Sequence, residues 1–188
     1  MIRSTGLIAV LLLSMTWVGA QENAEESEGT AAQRRAEIDA SAQATLEKLF
    51  AENTAARGLH ERAAGYAVFT ATKAGFLVTG GGGTGVAVDK SSGQRTYMRM
   101  GTGGIGLGIG AQRYDLVILF ESDAYLGRFV QGGWDASASA QAAAGSDGIT
   151  FTSSFVGGVA IFQLTDRGLM AQADVSGTRF WVIGDLNN

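Results

Sequence analysis

Few side chains in this sequence are equipped for covalent or metal chemistry. There is one histidine, His60, and no cysteine. Thiolate metal sites, disulfides and a cysteine nucleophile are therefore excluded, and a histidine-based triad or metal cage lacks its parts. His60 stands between Leu59 and Glu61-Arg62 on an expected helical turn, where a surface histidine is the simple reading. Asp115, Glu121 and Asp123 are close in sequence, yet paired carboxylates do acid-base work only when their environments separate their pKa values. Ser91-Ser92 and Ser153-Ser154 lack a nucleophile-elbow setting. No catalytic residue, metal ligand or cofactor is assigned, and the chain is expected not to be an enzyme.

Glycine supplies the stronger signal. The chain of 188 residues holds 28 glycines and no proline, about twice the ordinary ~7% for glycine. Gly80, Gly82 and Gly85 fit the G-x-G-x-x-G expression. That fingerprint needs a helix N-terminus straight after the glycines to hold a pyrophosphate. Val86-Ala87-Val88 and a polar turn follow instead, so dinucleotide binding is rejected. In a strand, Gly104, Gly106, Gly108 and Gly110 would form one bare face, with Ile105, Leu107 and Ile109 on the other. A bare face loses entropy and cross-strand packing unless something lies close against it. Internal packing is the ordinary explanation; an apolar ligand is the sharper one. Lys73, Arg95, Arg99 and Arg113 flank these glycine-rich stretches and are the candidate contacts for an anionic head group, with solvated surface charge as the plain alternative. Trp134, Trp181 and Tyr97 are candidates for a stacking site.

These residues need elements to carry them. Arg3, the apolar run Leu7 to Leu13 and the small residues Val18-Gly19-Ala20 have the layout of a secretory signal peptide cut after Ala20. Residues 21–29, with Glu22, Glu25, Glu26 and Glu28, read as an acidic linker, and 30–188 as one domain. Thr30 and Gln33 have capping-box spacing. Ala31, Ile38, Ala42, Leu46, Leu49 and Phe50 then recur on one helical face, and the helix is expected to end near Gly58. Short strands are expected at 66–69, 76–78, 86–88 and 95–100, with a turn at 89–93. Leu116 to Phe120 is apolar on both faces, as a central strand is. Residues 123–130 read as a short helix. Residues 136–144, 149–164, 169–175 and 179–183 read as extended, with turns at 145–148 and 166–168. The fold class is α+β: an N-terminal amphipathic helix packed on a mainly antiparallel, glycine-rich sheet or barrel-like core, with a short additional helix.

Ala63-Ala64-Gly65-Tyr66-Ala67-Val68-Phe69, Lys73-Ala74-Gly75-Phe76 and the Gly80–Gly85 cluster resemble the opening of the SYLF domain. Gly104 to Gln112 followed by Asp115-Leu116-Val117 is similar to its central glycine strand. Ala138 to Gly145, Arg167 to Ala171 and Asp174 to Gly177 are similar to its last third. The likeness spans residues 31–183 and departs at Thr70, where the family usually has proline. It implies a lipid-binding module, with actin binding in eukaryotic members of cortical patches. An exported setting argues against actin. The helix mixes Arg34, Arg35 and Lys48 with Glu37, Asp39, Glu47 and Glu52, so it lacks the basic polar face of a membrane-surface helix.

A formal net charge of −4 offers no basic excess to neutralise phosphates, so nucleic acid is not an expected partner. The expectation is a periplasmic or secreted domain that binds phospholipid, a membrane surface or another amphiphile. The rivals are a structural envelope protein that self-associates into a homo-oligomer, a small outer-membrane barrel, and, with the least support, a hydrolase.

Overall fold

The computed structural model describes residues 12–132, 154–165, 168–170 and 177–188. Helix α1 runs Leu12–Glu52 and helix α2 Thr54–Arg62. Two long strands follow, β1 (Gly65–Asp89) and β2 (Arg95–Phe120). Helix α3 (Asp123–Val130) precedes β3 (Val159–Thr165), β4 (Gly168–Met170) and β5 (Thr178–Val182), and a 3-10 turn spans Gly184–Leu186. The expected α+β architecture is present, with the sheet entirely antiparallel: β1-β2-β3-β4 in order, and β5 paired to the early part of β2.

Three boundaries differ from expectation. The first helix stops at Glu52, not near Gly58. Asn53 takes an extended conformation and its Oδ1 accepts from the Ala56 backbone N–H at 3.0 Å, so a cap divides the run into two helices. Thr30 lies inside α1, not at its start, and the backbone of 21–29 is helical where a linker was expected. The four glutamates, Gln21 and Ala24 there are good helix formers, and their propensity outweighs the acidic charge. The readings placed on 133–153, 166–167 and 171–176, Trp134 included, lie outside the described residues.

The six short strand segments expected between residues 66 and 120 are two continuous strands of 25 and 26 residues. Glycines do not break them because glycines meet across the ladder: Gly75 pairs with Gly110, Gly80 with Gly103, Gly82 with Gly101. The register slips between Gly75 and Leu77, where Phe76 is set against residues 107–109 of β2. Such a bulge bends and twists a ribbon.

Past that bulge β1 returns along its own first half. A Cβ on Gly81 would strike the Thr72 carbonyl, one on Gly83 the Thr70 carbonyl and Ala71, and one on Gly85 the Val68 carbonyl and the Phe69 ring. The Lys90 N–H donates to the Ala64 carbonyl at 3.0 Å at the end of this approach. Among the described residues no ladder joins the two halves, so the sheet is strongly coiled but open, and the barrel-like alternative does not hold.

Coiling gives the sheet two differently covered sides. On the inner side Phe69, Phe120, Phe129, Met98, Met100, Leu116 and Ile118 are fully buried, with Leu126 and Phe129 supplied by α3. Phe129 contacts Phe120 and Phe180 with ring centroids 5.1 and 5.0 Å apart. On the outer side α1 lays Ala42, Leu46 and Leu49 onto Val68, Val86, Tyr97, Val117 and Leu119, with Ala31, Ile38 and Phe50 partly buried beside them. These six helix residues are the expected apolar stripe. Leu116 to Phe120 is buried throughout because β1 and β3 flank it and both sides are covered.

The glycine contacts generate a paired prediction. Gly83→Val should destabilise the fold by about 1–3 kcal/mol in urea unfolding, because the added carbons must displace backbone. Gly80→Ala, with nothing among the described residues within 4 Å of the new carbon, should change stability by less than about 0.5 kcal/mol.

Candidate functional site

Alternation along β2 decides where the candidate cations go. Its odd-numbered residues Tyr97, Val117 and Leu119 belong to the outer cluster, and its even-numbered Met98, Met100, Leu116 and Ile118 to the inner one. Arg95, Arg99 and Arg113 therefore share the outer side. Lys73, following Phe69 and Ala71 in the inner alternation of β1, is on the other side and partly buried. The four predicted head-group residues are not one cluster.

Arg95 is committed elsewhere. Its Nε lies 3.5 Å from Asp39 Oδ2 on α1, and the same oxygen accepts the Tyr97 hydroxyl at 3.0 Å. Burial, then the bond to Asp39, holds the Tyr97 phenol above its ordinary pKa. Tyr97 is thus a buried tether for α1 and not half of an aromatic stacking site with Trp181. Arg113 is exposed, opposite Thr72. Gly104, Gly106, Gly108 and Gly110 lie in β2 as expected, while what their bare face meets lies outside the described residues.

Arg99 leads to a different site. It pairs with Thr84 on β1 and with Trp181 on β5. In the next row Gly82, Gly101 and Arg179 are aligned, and beyond it Gly80 and Gly103. Among the described residues Gly80 and Gly103 have nothing within 4 Å of the position a side chain would take, and Gly82 only the Met100 carbonyl. The Trp181 ring lies against Gly101, where a Cβ would come within 2.9 Å of it. Trp181 is 47% exposed and Val182 41%. The outer sheet therefore carries a bare-backbone floor, walled by an exposed indole and two exposed arginines, Arg99 and Arg179. A guanidinium offers a fork of donors to phosphate or carboxylate, and an indole suits a boundary between apolar matter and water. Arg179 and these glycines were not singled out from sequence as site residues. The signal that could have found them is the Arg179-Phe180-Trp181 alternation, which sends Arg179 and Trp181 to one side of a strand.

The carboxylates do not form an acid-base pair. Asp115 accepts the Thr70 hydroxyl at 2.7 Å, facing α1, whereas Asp123 is exposed in the first turn of α3. Among the described residues no group of three His, Asp or Glu is placed to hold a metal. His60 departs from the surface reading. Its ring lies between Phe50 of α1 and Tyr66 of β1, with centroids 5.1 and 4.9 Å away, and Nε2 is buried without a hydrogen-bond partner. Lys90 Nζ donates to the His60 and Glu61 carbonyls at 2.7 and 3.1 Å.

Residues 101–188 match the protein family described as Ysc84: Las17-binding protein actin regulator. The chain is also 38% identical over 157 residues to Beta cell expansion factor A of Aeromonas veronii. That alignment takes in 84% of this chain and 60% of the relative, so the chain spans about three fifths of the curated protein it matches. A Ysc84/SYLF-like domain therefore covers part of the chain, in keeping with the resemblance carried by its glycine strand.

The environment of His60 predicts a pH response. Burial foremost, then the Lys90 ammonium, holds its pKa below the ordinary 6.5, with Glu61 opposing. The unfolded chain therefore takes up a proton at a higher pH than the folded one. Stability should be full above pH 6.5 and fall as the pH drops from there toward the depressed folded value. His60→Gln should flatten that segment of a pH series of thermal melts.

Proposed function

We propose that the chain is an exported, non-enzymatic binding domain. Its working surface is the glycine-floored outer face bearing Arg99, Arg179 and Trp181, and its ligand is the interfacial layer of a phospholipid or other amphiphile assembly. The observation that carries this reading is the half-exposed Trp181 beside Arg99 and Arg179, next to Gly80 and Gly103, which no described side chain covers. An indole at the head-group level buries its apolar body and leaves its N–H near water. The arginines meet phosphate with charge-assisted hydrogen bonds.

The contact is a surface, not a pocket for acyl chains. The inner side of the coiled sheet is filled near Phe69, Phe129 and Phe180 by the protein's own rings. Among the described residues no helix is long and apolar enough to cross a membrane, so the reading is a domain lying on a membrane. The signal-like leader supports export to the periplasm or beyond.

A second reading, a structural envelope protein that self-associates, is favoured by Trp181, a large hydrophobic 47% exposed on the outer side of β5. Vesicle co-sedimentation and sizing separate the two. With anionic vesicles at low salt the chain should bind, and Arg99→Glu/Arg179→Glu or Trp181→Ala should weaken binding by fivefold or more. If vesicles are ignored and Trp181→Ala converts an oligomer to a monomer, self-association is the function of this face.

A further inference from the structure

Where α1 crosses the two halves of β1 it does not seal against the sheet. A cleft of about 200 Å³ remains, bounded by Ile38 and Val68 and by the polar side chains of Glu37, Ser41, Thr70 and Thr84. Its size is below the range of about 300–1,000 Å³ typical of ligand pockets, so it suits a small polar group and not a chain.

The direction of the hydrogen bonds fixes what that group must be. Asp115 Oδ1 accepts the Thr70 hydroxyl at 2.7 Å, so Thr70 spends its one proton there. The 3.0 Å contact between the Ser41 and Thr70 hydroxyls must then use the Ser41 proton. Both hydroxyls therefore have only lone pairs left to offer. Glu37 is exposed at the mouth and adds a negative charge; its Oε1 accepts a long 3.4 Å bond from Gln33. Thr84 on the rim lies directly across the ladder from Arg99. The lining thus asks for a cation rich in N–H donors, while the nearest strand position beside it offers a guanidinium.

We infer that this cleft binds a primary ammonium whose neighbouring phosphate is held by Arg99, that is, an aminoethyl phosphate. The group can come from a free metabolite or from the head of an ethanolamine phospholipid. In the second case the inference rests on the membrane-facing reading above and gives it a head-group preference. Ser41 and Thr70 supply acceptors, Glu37 the counter-charge, and Ile38 and Val68 the apolar walls beside the ligand's methylenes. Thr70 is the position at which the SYLF pattern usually has proline, which could neither bond to Asp115 nor orient Ser41.

The test is calorimetric titration of the purified chain with O-phosphoethanolamine and phosphocholine, alongside co-sedimentation with vesicles that do or do not contain an ethanolamine lipid. O-Phosphoethanolamine should bind saturably, and phosphocholine at least tenfold more weakly, because methyl groups replace the N–H donors. Glu37→Gln, on the exposed helix surface, should lose at least tenfold in affinity with an unchanged thermal melt. Arg99→Gln should bind O-phosphoethanolamine no better than ethanolamine. Equal binding of the two phosphates, or full affinity in Glu37→Gln, overturns the inference. If vesicles bind through Trp181 whatever their amine content and O-phosphoethanolamine does not bind, the cleft is refuted and the membrane face stands. If O-phosphoethanolamine binds with these variant effects but vesicles do not, the cleft takes a soluble ligand and the membrane reading falls.

Discussion

The structure depends on how closely one strand can approach itself. β1 is paired with β2 along nearly its whole length, and a straight ribbon of that length could not bury its inner residues. Burial requires the ribbon to coil until its second half reaches its first. At Gly81, Gly83 and Gly85 the meeting is backbone against backbone, with no room for a β-carbon. Glycine in a strand gives up backbone entropy and cross-strand packing. Here the loss is offset by the cluster it permits, in which each fully buried phenylalanine or leucine contributes roughly 1.5–3 kcal/mol.

Once the ribbon is coiled, its outer side needs a lid, and α1 supplies one by polar pins as much as by apolar contact. Arg34 reaches Asp185 at 2.9 Å, Lys48 the Thr165 carbonyl at 2.9 Å, and Glu52 the Leu169 N–H at 2.9 Å. Between these ends stand the Ser41–Thr70 and Asp39–Tyr97 contacts. Each exposed ion pair is worth little alone. Their joint effect is positional, holding the helix across both halves of β1 so that a cleft persists beneath it. Part of the mixed charge that made α1 unlike a membrane-surface helix is thus explained: Arg34, Asp39, Lys48 and Glu52 address the sheet and its connections, while Glu37 and Glu47 bond to Gln33 and Gln43 on the helix itself.

The features legible in the sequence are those set by neighbours along the chain. The 123–130 helix and the apolar stripe of α1 follow from a 3.6-residue period, and the 89–93 turn from its polar residues. Strand continuity was not legible, because a glycine run scores as a break and only its glycine partners opposite reveal a ladder. The division at Asn53 was missed because its cap is a side-chain bond to Ala56, while Gly58, the more conspicuous residue, sits in the middle of α2. For the site, alternation placed Arg95 and Arg99 on one side. It could not show that Asp39 engages Arg95, or that β5 brings Trp181 beside Arg99 from some eighty residues away. Those facts belong to long-range pairing, which leaves no local periodicity.

The same glycine-rich stretch serves two ends, and parity separates them. Gly81, Gly83 and Gly85 look inward and are filled by the chain's own backbone. Gly80 and Gly82, one step away in the pleat, look outward, where among the described residues Gly80 meets nothing within 4 Å and Gly82 only the Met100 carbonyl. A strand exposes successive residues on opposite sides, so removing side chains over the whole run satisfies the inner packing and leaves the outer floor bare. Backbone contact demands glycine at the odd positions, whereas among the described residues nothing comes within 4 Å of a β-carbon at Gly80 and the Met100 carbonyl, at 3.2 Å, crowds one at Gly82. Farther along, Thr84 and Val86 carry side chains at even positions. Among the described residues Gly80 is therefore bare beyond what the inner packing requires, and it lies on the side of the sheet that carries the arginines and the indole.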